Sequence, residues 1–484
     1  MEKLNRRDFL RLAAAGGMGL AVLAGCAPKV VEKVVEKEVP VEVTKIVKEV
    51  VQETVIVAGT PQVVEKEVTK IVKEVVTAAP APKEPVTIRH HVRAGLQEEF
   101  YSQTAAAFHE AQDEVRVTFE ATPGAEYATK LTTLVASGEL GDLWWDAVFS
   151  TVYPFAARGI SLDLGPLMKA DYNFNLGEYF SCVIAACTWD NKVIALPMGA
   201  HAGWSSFFVN LDKWEEAGLT ALPDWEWTYQ NEFIAVVNDL TKDEDGDGKI
   251  DCYGFHFAFS PQLTYTFIKS WGGDWIDPDD RRTCTLTSDE TTAALMFMHD
   301  LIYKYKVSPT QEAVVDNMFA NGYAATWCEG LHMVQREDSM IEDKFKWQAF
   351  MMPAGPGGRG SFIGPALHCI NSSTKDPMAA WEWLKWATGK EAGLLQLDFG
   401  FVPPSRFDAW RDPKLADNIN YQPGRRWLEE LAVGVTFPAN ARAAEFRNEL
   451  VQGLQAFFME KDDPVSKIKE MSEAAQVVLD KPLL

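Results

Sequence analysis

The chain has 484 residues, 47% of them apolar, with 69 acidic against 46 basic side chains and a formal charge of −23. Apolar content at this level excludes a largely disordered chain. Beyond residue 85 the balance is 33 basic to 57 acidic residues, and a body this acidic repels phosphate backbones, which argues against nucleic acid as a partner.

Asn5-Arg6-Arg7-Asp8-Phe9-Leu10 puts an arginine pair directly before an apolar stretch, Leu12 to Ala24. That stretch is too short and too rich in Gly and Ala for a spanning helix, and no other run approaches the roughly 20 residues a bilayer needs. A charged segment before a short apolar one is an export address. The arginine pair resembles a twin-arginine signal, and Leu23-Ala24-Gly25-Cys26 resembles a bacterial lipobox, which implies residues 1–26 as a lipoprotein signal with lipid on Cys26. Residues 27–85 are mostly Val, Glu, Lys and Thr, and EVTKIVKEVV recurs at 42–51 and 67–76. A repeat this short buries no core of its own. The segment reads as a tether whose conformation is left open, with a coiled-coil stalk as the alternative.

The folded body begins at Val86. Val86–Val92 and Val115–Glu120 read as strands, and Glu98–Gln112 and Tyr127–Ala136 as helices, an alternation that predicts a doubly wound α/β sheet. Later helices are expected at Glu290–Tyr305 and Pro377–Thr388, the latter carrying Trp381, Trp383 and Trp386.

Several strings in order resemble one family: VTIRHHVRAG from Val86, YATKLTTLVASGELGD from Tyr127, NKVIALP from Asn191 with FVNLDKWEEAG from Phe208, then Trp271-Gly272-Gly273-Asp274, FANGYAATW from Phe319 and MPAGPGGR from Met352. They are similar to the extracellular solute-binding proteins of bacterial ABC importers, the family of maltose-binding protein, over about residues 86–460. The resemblance implies a type II periplasmic-binding-protein fold: two α/β lobes, each a mixed sheet flanked by helices, with multiple hinge crossings. Lobe 1 is expected at 86–197 and 330–396, and lobe 2 at 198–329 and 397–484. A solute between the lobes would favour the closed state by its differential affinity.

Sixteen tryptophans suit stacking on sugar rings, although most indoles in any protein are core, the default for Trp214, Trp347, Trp381, Trp383 and Trp386. Trp144 and Asp146 follow Gly141-Asp142 at an expected strand end; His201 and Trp204 lie just past the hinge-like Pro197-Met198-Gly199; Trp271 precedes paired glycines; Trp327 and Glu329 stand at the second crossing. Arg93 and His91 end the first strand, and Gly364 resembles the family's exposed glycine loop near the cleft. These ten residues are the expected ligand contacts. Asp243, Asp245, Asp247 and Asp251, with Gly248 and Ile250, form an acidic loop suited to a structural Ca²⁺; its twelfth position is Gly254 where an EF-hand needs a bidentate Glu, so a solvated turn is the alternative. Of the six cysteines after Cys26, Cys252–Cys284 is the favoured pair, with buried free thiols as the alternative.

No nucleophile elbow, Walker loop or HExxH pair occurs, so no catalytic residues or cofactor are expected apart from possible calcium. The expected function is a monomeric, lipid-anchored receptor that hands a sugar or oligosaccharide to an ABC permease at the extracytoplasmic face of the cell membrane. The alternatives are an exported glycoside-acting enzyme using Asp146 and Glu329, or a calcium-dependent surface adhesin.

Overall fold

The structure, a computed structural model, describes residues 40–57, 59–77, 84–146, 150–202, 206–330, 333–399, 404–416 and 431–482. Arg6, Arg7, Cys26 and Trp204 lie outside the described residues. The chain divides into two compact units, residues 1–84 and 85–484.

In the first unit, β1 (Pro40–Val57) and β2 (Thr60–Thr77) form one antiparallel hairpin of two 18-residue strands. Gly59 sits in its tip at φ 86°, backbone that glycine adopts without Cβ strain. The decapeptide repeat pairs with its own copy, with Ile46 opposite Ile71. Valine-rich chain thus takes the extended form, as β-branching favours.

The second unit opens with β3 (Val86–Arg93), α1 (Leu96–Ala111), β4 (Val115–Thr122), α2 (Tyr127–Ser137) and β5 (Leu143–Asp146). β3 pairs in parallel with both β4 and β5, so α1 and α2 are the crossovers of successive βαβ units. α1 buries Phe100, Tyr101, Ala105 and Phe108 at helical spacing, and α2 buries Tyr127, Leu131 and Leu134. After α3 (Val152–Ala157) and α4 (Ser181–Ala186) comes a small hairpin, β6 (Thr188–Trp189) and β7 (Lys192–Val193), turned by Asp190 and Asn191. Both take positive φ, as a tight two-residue hairpin turn requires. The chain continues through β8 (Leu196–Ala202), β9 (Ser206–Asn210), α5 (Leu211–Glu216), β10 (His256–Phe257), α6 (Pro261–Ser270), α7 (Asp289–Tyr303), β11 (Thr326–Glu329), β12 (Trp347–Met351), β13 (Ser361–Ile370), α8 (Pro377–Ala387), β14 (Gly434–Val435), α9 (Ala443–Met459) and α10 (Pro464–Leu479).

These strands make two main sheets. One runs β14-β13-β5-β3-β4 with β8 also on β13, and the other runs β10-β11-β9-β12. The expected return to the first lobe at residue 330 is corrected: β12 pairs antiparallel with β9, so the second sheet holds the chain to Met351. The C-terminal part is also shared rather than confined to the second lobe. β14 pairs with β13, while α9 packs on α6 and α10 on α7. The expected Cys252–Cys284 bond is absent. Cys284 accepts a hydrogen bond from the Ser472 hydroxyl at 3.5 Å, Cys252 sits beside Lys213, and all six described cysteines are free thiols.

A line of polar side chains threads the core of the first sheet. Trp383 Nε1 lies 3.0 Å from His90 Nδ1, His90 Nε2 3.1 Å from His368 Nδ1, His368 Nε2 2.5 Å from the Tyr101 hydroxyl, and that hydroxyl 2.8 Å from Met198 Sδ. An indole N–H only donates, so His90 Nδ1 accepts and every later bond takes its direction from there. Both imidazoles are neutral with fixed tautomers. Burial pulls His90 well below the usual histidine range and His368 down to about 3.

Candidate functional site at the facing strand ends

Ligands of parallel α/β sheets gather beyond the carboxyl ends of the strands. β3 and β5 end at Arg93 and Asp146. β8 ends on the same side, because it and β5 both run antiparallel to β13. Between Ala202 and Ser206 lie four peptide links, a span of at most about 14 Å. Ser206 opens β9 and stands opposite Glu329, the last residue of β11, and Met351, the last of β12. A short crossing therefore joins the edge bearing Arg93 and Asp146 to the edge bearing Glu329.

Arg93 lies over the Trp145 ring, its guanidinium carbon 4.5 Å from the centroid, with its Nε buried and without a partner among the described residues. The Asp146 carboxylate is buried and committed. Oδ2 accepts from Thr151 N at 2.7 Å, Thr151 Oγ1 at 2.9 Å and Val152 N at 3.0 Å, which caps α3, and Oδ1 accepts from Ser150 Oγ at 3.3 Å. Across the crossing, burial lifts Glu329 to about 7, helped by the Glu337 carboxylate and opposed by the Gly330 N–H at 2.8 Å and by Arg336. A carboxyl raised this far holds a proton more readily than an ordinary glutamate near neutral pH, and its protonated form presents a hydroxyl donor as well as an acceptor. The β8 backbone pairs His201 with Gly364.

Five of the expected contacts are placed elsewhere. Trp144 is fully buried against Phe155, because alternation along β5 turns Trp145, not Trp144, toward Arg93. His91 uses both ring nitrogens inside the first sheet: Nε2 accepts from Gly141 N at 2.9 Å, and Nδ1 lies 3.4 Å from Glu120 Oε2. Trp271 packs among Phe297, Tyr229 and Phe267, and Trp327 among Phe208, Phe319 and His256. Gly272 and Gly273 serve close chain packing rather than a ligand. A Cβ on Gly273 would meet Thr291 Oγ1 at 2.5 Å, and the Gly357 turn sits directly on Gly272. Gly364 is a buried residue inside β13, not part of an exposed loop.

Two features were missed by sequence reasoning. Arg447 on α9 lies within electrostatic reach of Arg93 and Asp146, and its Nε is also buried without a partner among the described residues. Only the packing of α9 against α3 brings it there, and no local motif marks it. A cavity of about 540 Å³ takes Tyr153, Cys182 and Thr188 from around the first sheet, Tyr265, Lys269 and Asp274 from around α6, and Thr436 to Ala439 between them.

Away from these edges, oxygens of Asp243, Asp245 and Asp247 converge within 4.8 Å. Asp251 joins the loop by accepting from Glu244 N at 2.7 Å. The twelfth position cannot supply a ligand, since a Cβ at Gly254 would stand 1.8 Å from Val237 O.

No described helix is long and apolar enough to cross a membrane. The sugar-binding protein MalE of Xanthomonas citri has a similar structure, with TM-score 0.71, 18% identity, and 81% of this chain and 97% of that one covered. So does an ABC substrate-binding protein of Listeria monocytogenes in complex with cycloalternan, at 0.68 and 17%, covering 81% and 98%. These likenesses give a type II periplasmic-binding fold. An erythritol/L-threitol-binding protein of Mycolicibacterium smegmatis is 24% identical over 340 residues, 63% of this chain and 68% of that protein. The model of the bacterial extracellular solute-binding proteins matches residues 93–394, and the chain belongs to that family.

Proposed function

We propose that this protein is a lipid-anchored receptor that captures a carbohydrate or polyol between its two sheets and delivers it to an ABC permease. The observation that carries this reading is the placement of Arg93, Trp145 and Asp146 at one sheet edge and Glu329 at another, joined by the short 202–206 crossing, an arrangement suited to a solute that touches both edges. Ligands of the relatives, a tetritol in one and cycloalternan in another, support the class of solute. The arginine pair before an apolar run and the Leu23–Cys26 box support export and lipid on Cys26. The glycoside-acting alternative loses one of its two carboxylates, since the Asp146 carboxylate is consumed in capping α3.

The test is a panel of neutral sugars and polyols read by melting temperature and tryptophan fluorescence. At least one member is expected to raise Tm, by about 2.7 kcal/mol of linkage at a hundredfold excess over Kd, with no product formed. Silence across the panel defeats the reading.

The convergence of Asp243, Asp245 and Asp247 supports a Ca²⁺ held by three carboxylates with water completing its shell. Chelation is then expected to lower Tm by a few degrees, and Asp245→Asn to abolish the difference. Equal melting with and without chelator removes the ion from this account.

A further inference from the structure

We infer that the hairpin of the first unit is a self-association element, whose open edge pairs antiparallel with that of a second copy of this chain. Among the described residues β1 and β2 pair only with each other, so each strand keeps one edge without a partner strand. A lone two-stranded ribbon is at best marginally stable in water, and further strands are what secure it. Neither face of this one is covered: Val50 and Val51, neighbours that point to opposite faces, are 56% and 45% exposed. Two devices that normally blunt an edge are also missing. The pairing runs from Pro40 and Thr77 to the tip without a bulge, and inside it proline occurs only at position 61, beside the tip.

Lysines, a third such device, do stand on both strands, but in a pattern that selects a partner. Each copy of EVTKIVKEVV sets a lysine and a glutamate symmetrically about a central valine: Lys45 and Glu49 about Val47, and Lys70 and Glu74 about Val72. Within the hairpin this match is unused, because Lys45 stands opposite Val72, Glu49 opposite Val68, Lys70 opposite Val47 and Glu74 opposite Val43. Two copies of β1 laid antiparallel about Val47 bring Lys45 of each opposite Glu49 of the other, and Val43 opposite Val51. Two copies of β2 about Val72, or β1 against β2, repeat the arrangement, and opposite charges directly across a strand pair are stabilising. A slip of two residues, the smallest that keeps both faces, removes both lysine–glutamate pairs and in one direction sets Lys48 against Lys48. The sequence that lines each edge is thus complementary to itself in one register. The inference is independent of what the second unit binds.

Sedimentation equilibrium of the full chain tests it, alongside Lys45→Glu/Lys70→Glu, Glu49→Lys/Glu74→Lys and an equimolar mixture of these two variants. The parent is expected to self-associate, to a dimer through one edge and further through both. Each variant alone places like charges opposite each other across the pairing and is expected to associate at least about tenfold more weakly. The mixture is expected to recover the parent's affinity, since the altered position of one variant then meets the complementary charge of the other. A monomeric parent overturns the proposal. So does association that both variants retain, as contact through the apolar 12–24 stretch would give, or a mixture no tighter than either variant alone.

Discussion

Alanine at position 254 is expected to destabilise the folded body by about 3 kcal/mol or more, far beyond the usual cost of one added methyl. Gly254 is pressed against the carbonyl that ends a turn of helix at Val237. An ideal Cβ there would meet Val237 O at 1.8 Å, Val237 C at 2.7 Å and Thr241 Oγ1 at 2.8 Å. Its backbone is held in place as well: the amide donates to Thr241 Oγ1 at 3.0 Å, and the carbonyl accepts from Thr326 Oγ1 at 2.5 Å. Neither side can retreat without breaking a buried hydrogen bond. The urea midpoint of Gly254→Ala checks this, and a midpoint within error of the parent would refute the packing. The same contact forbids improving the acidic loop by analogy with an EF-hand. Gly254→Glu should unfold the protein before it could bind calcium more tightly.

Acid should destabilise the body steeply below about pH 6.5. His90 and His368 are neutral in the fold, with values depressed by burial, and burial also takes His256 down to about 4. The unfolded chain takes up these protons near 6.5 while the native state refuses them. Stability present above 6.5 is therefore lost as pH falls toward the native values, at about 1.4 kcal/mol per pH unit for each histidine. Glu329 works in the opposite sense. Its native value of about 7 lies above the ordinary 4.5, so the fold gains relative stability as pH falls through that interval. Glu329→Gln should therefore steepen the loss between pH 7 and 5. His368→Leu should cost about 2–4 kcal/mol at pH 7.5, since it orphans the His90 N–H and takes away the donor to the Tyr101 hydroxyl, while flattening the acid slope. Melting temperatures from pH 8 to 5 decide it, and a flat profile for the parent would rule out buried neutral imidazoles.

The α/β plan was readable because it depends on local periodicity. Val86–His90 alternates, Phe100 and Phe108 recur at helical spacing, and the observed elements through Ser137 lie within a few residues of those expected. Arg93, Asp146 and Glu329 were readable as strand ends. What failed was facing direction. A period of two puts adjacent Trp144 and Trp145 on opposite sides, and no local feature says which side is the core. The glycines at 272 and 273 do mark close approach, but of the chain to itself: Gly272 to the 355–358 turn, more than 80 residues away, and Gly273 to Thr291 at the start of α7. Arg447 was invisible for the same reason, since its neighbours arrive from β3 and β5.

The hairpin of the first unit bears on distance. Pro40 and Thr77 face each other across one strand pairing, so a path entering at one and leaving at the other advances only about 5 Å. Laid end to end, the same 38 residues would span about 125 Å. Residues 40–77 thus fold back into a ribbon about 60 Å long whose entry and exit stand side by side.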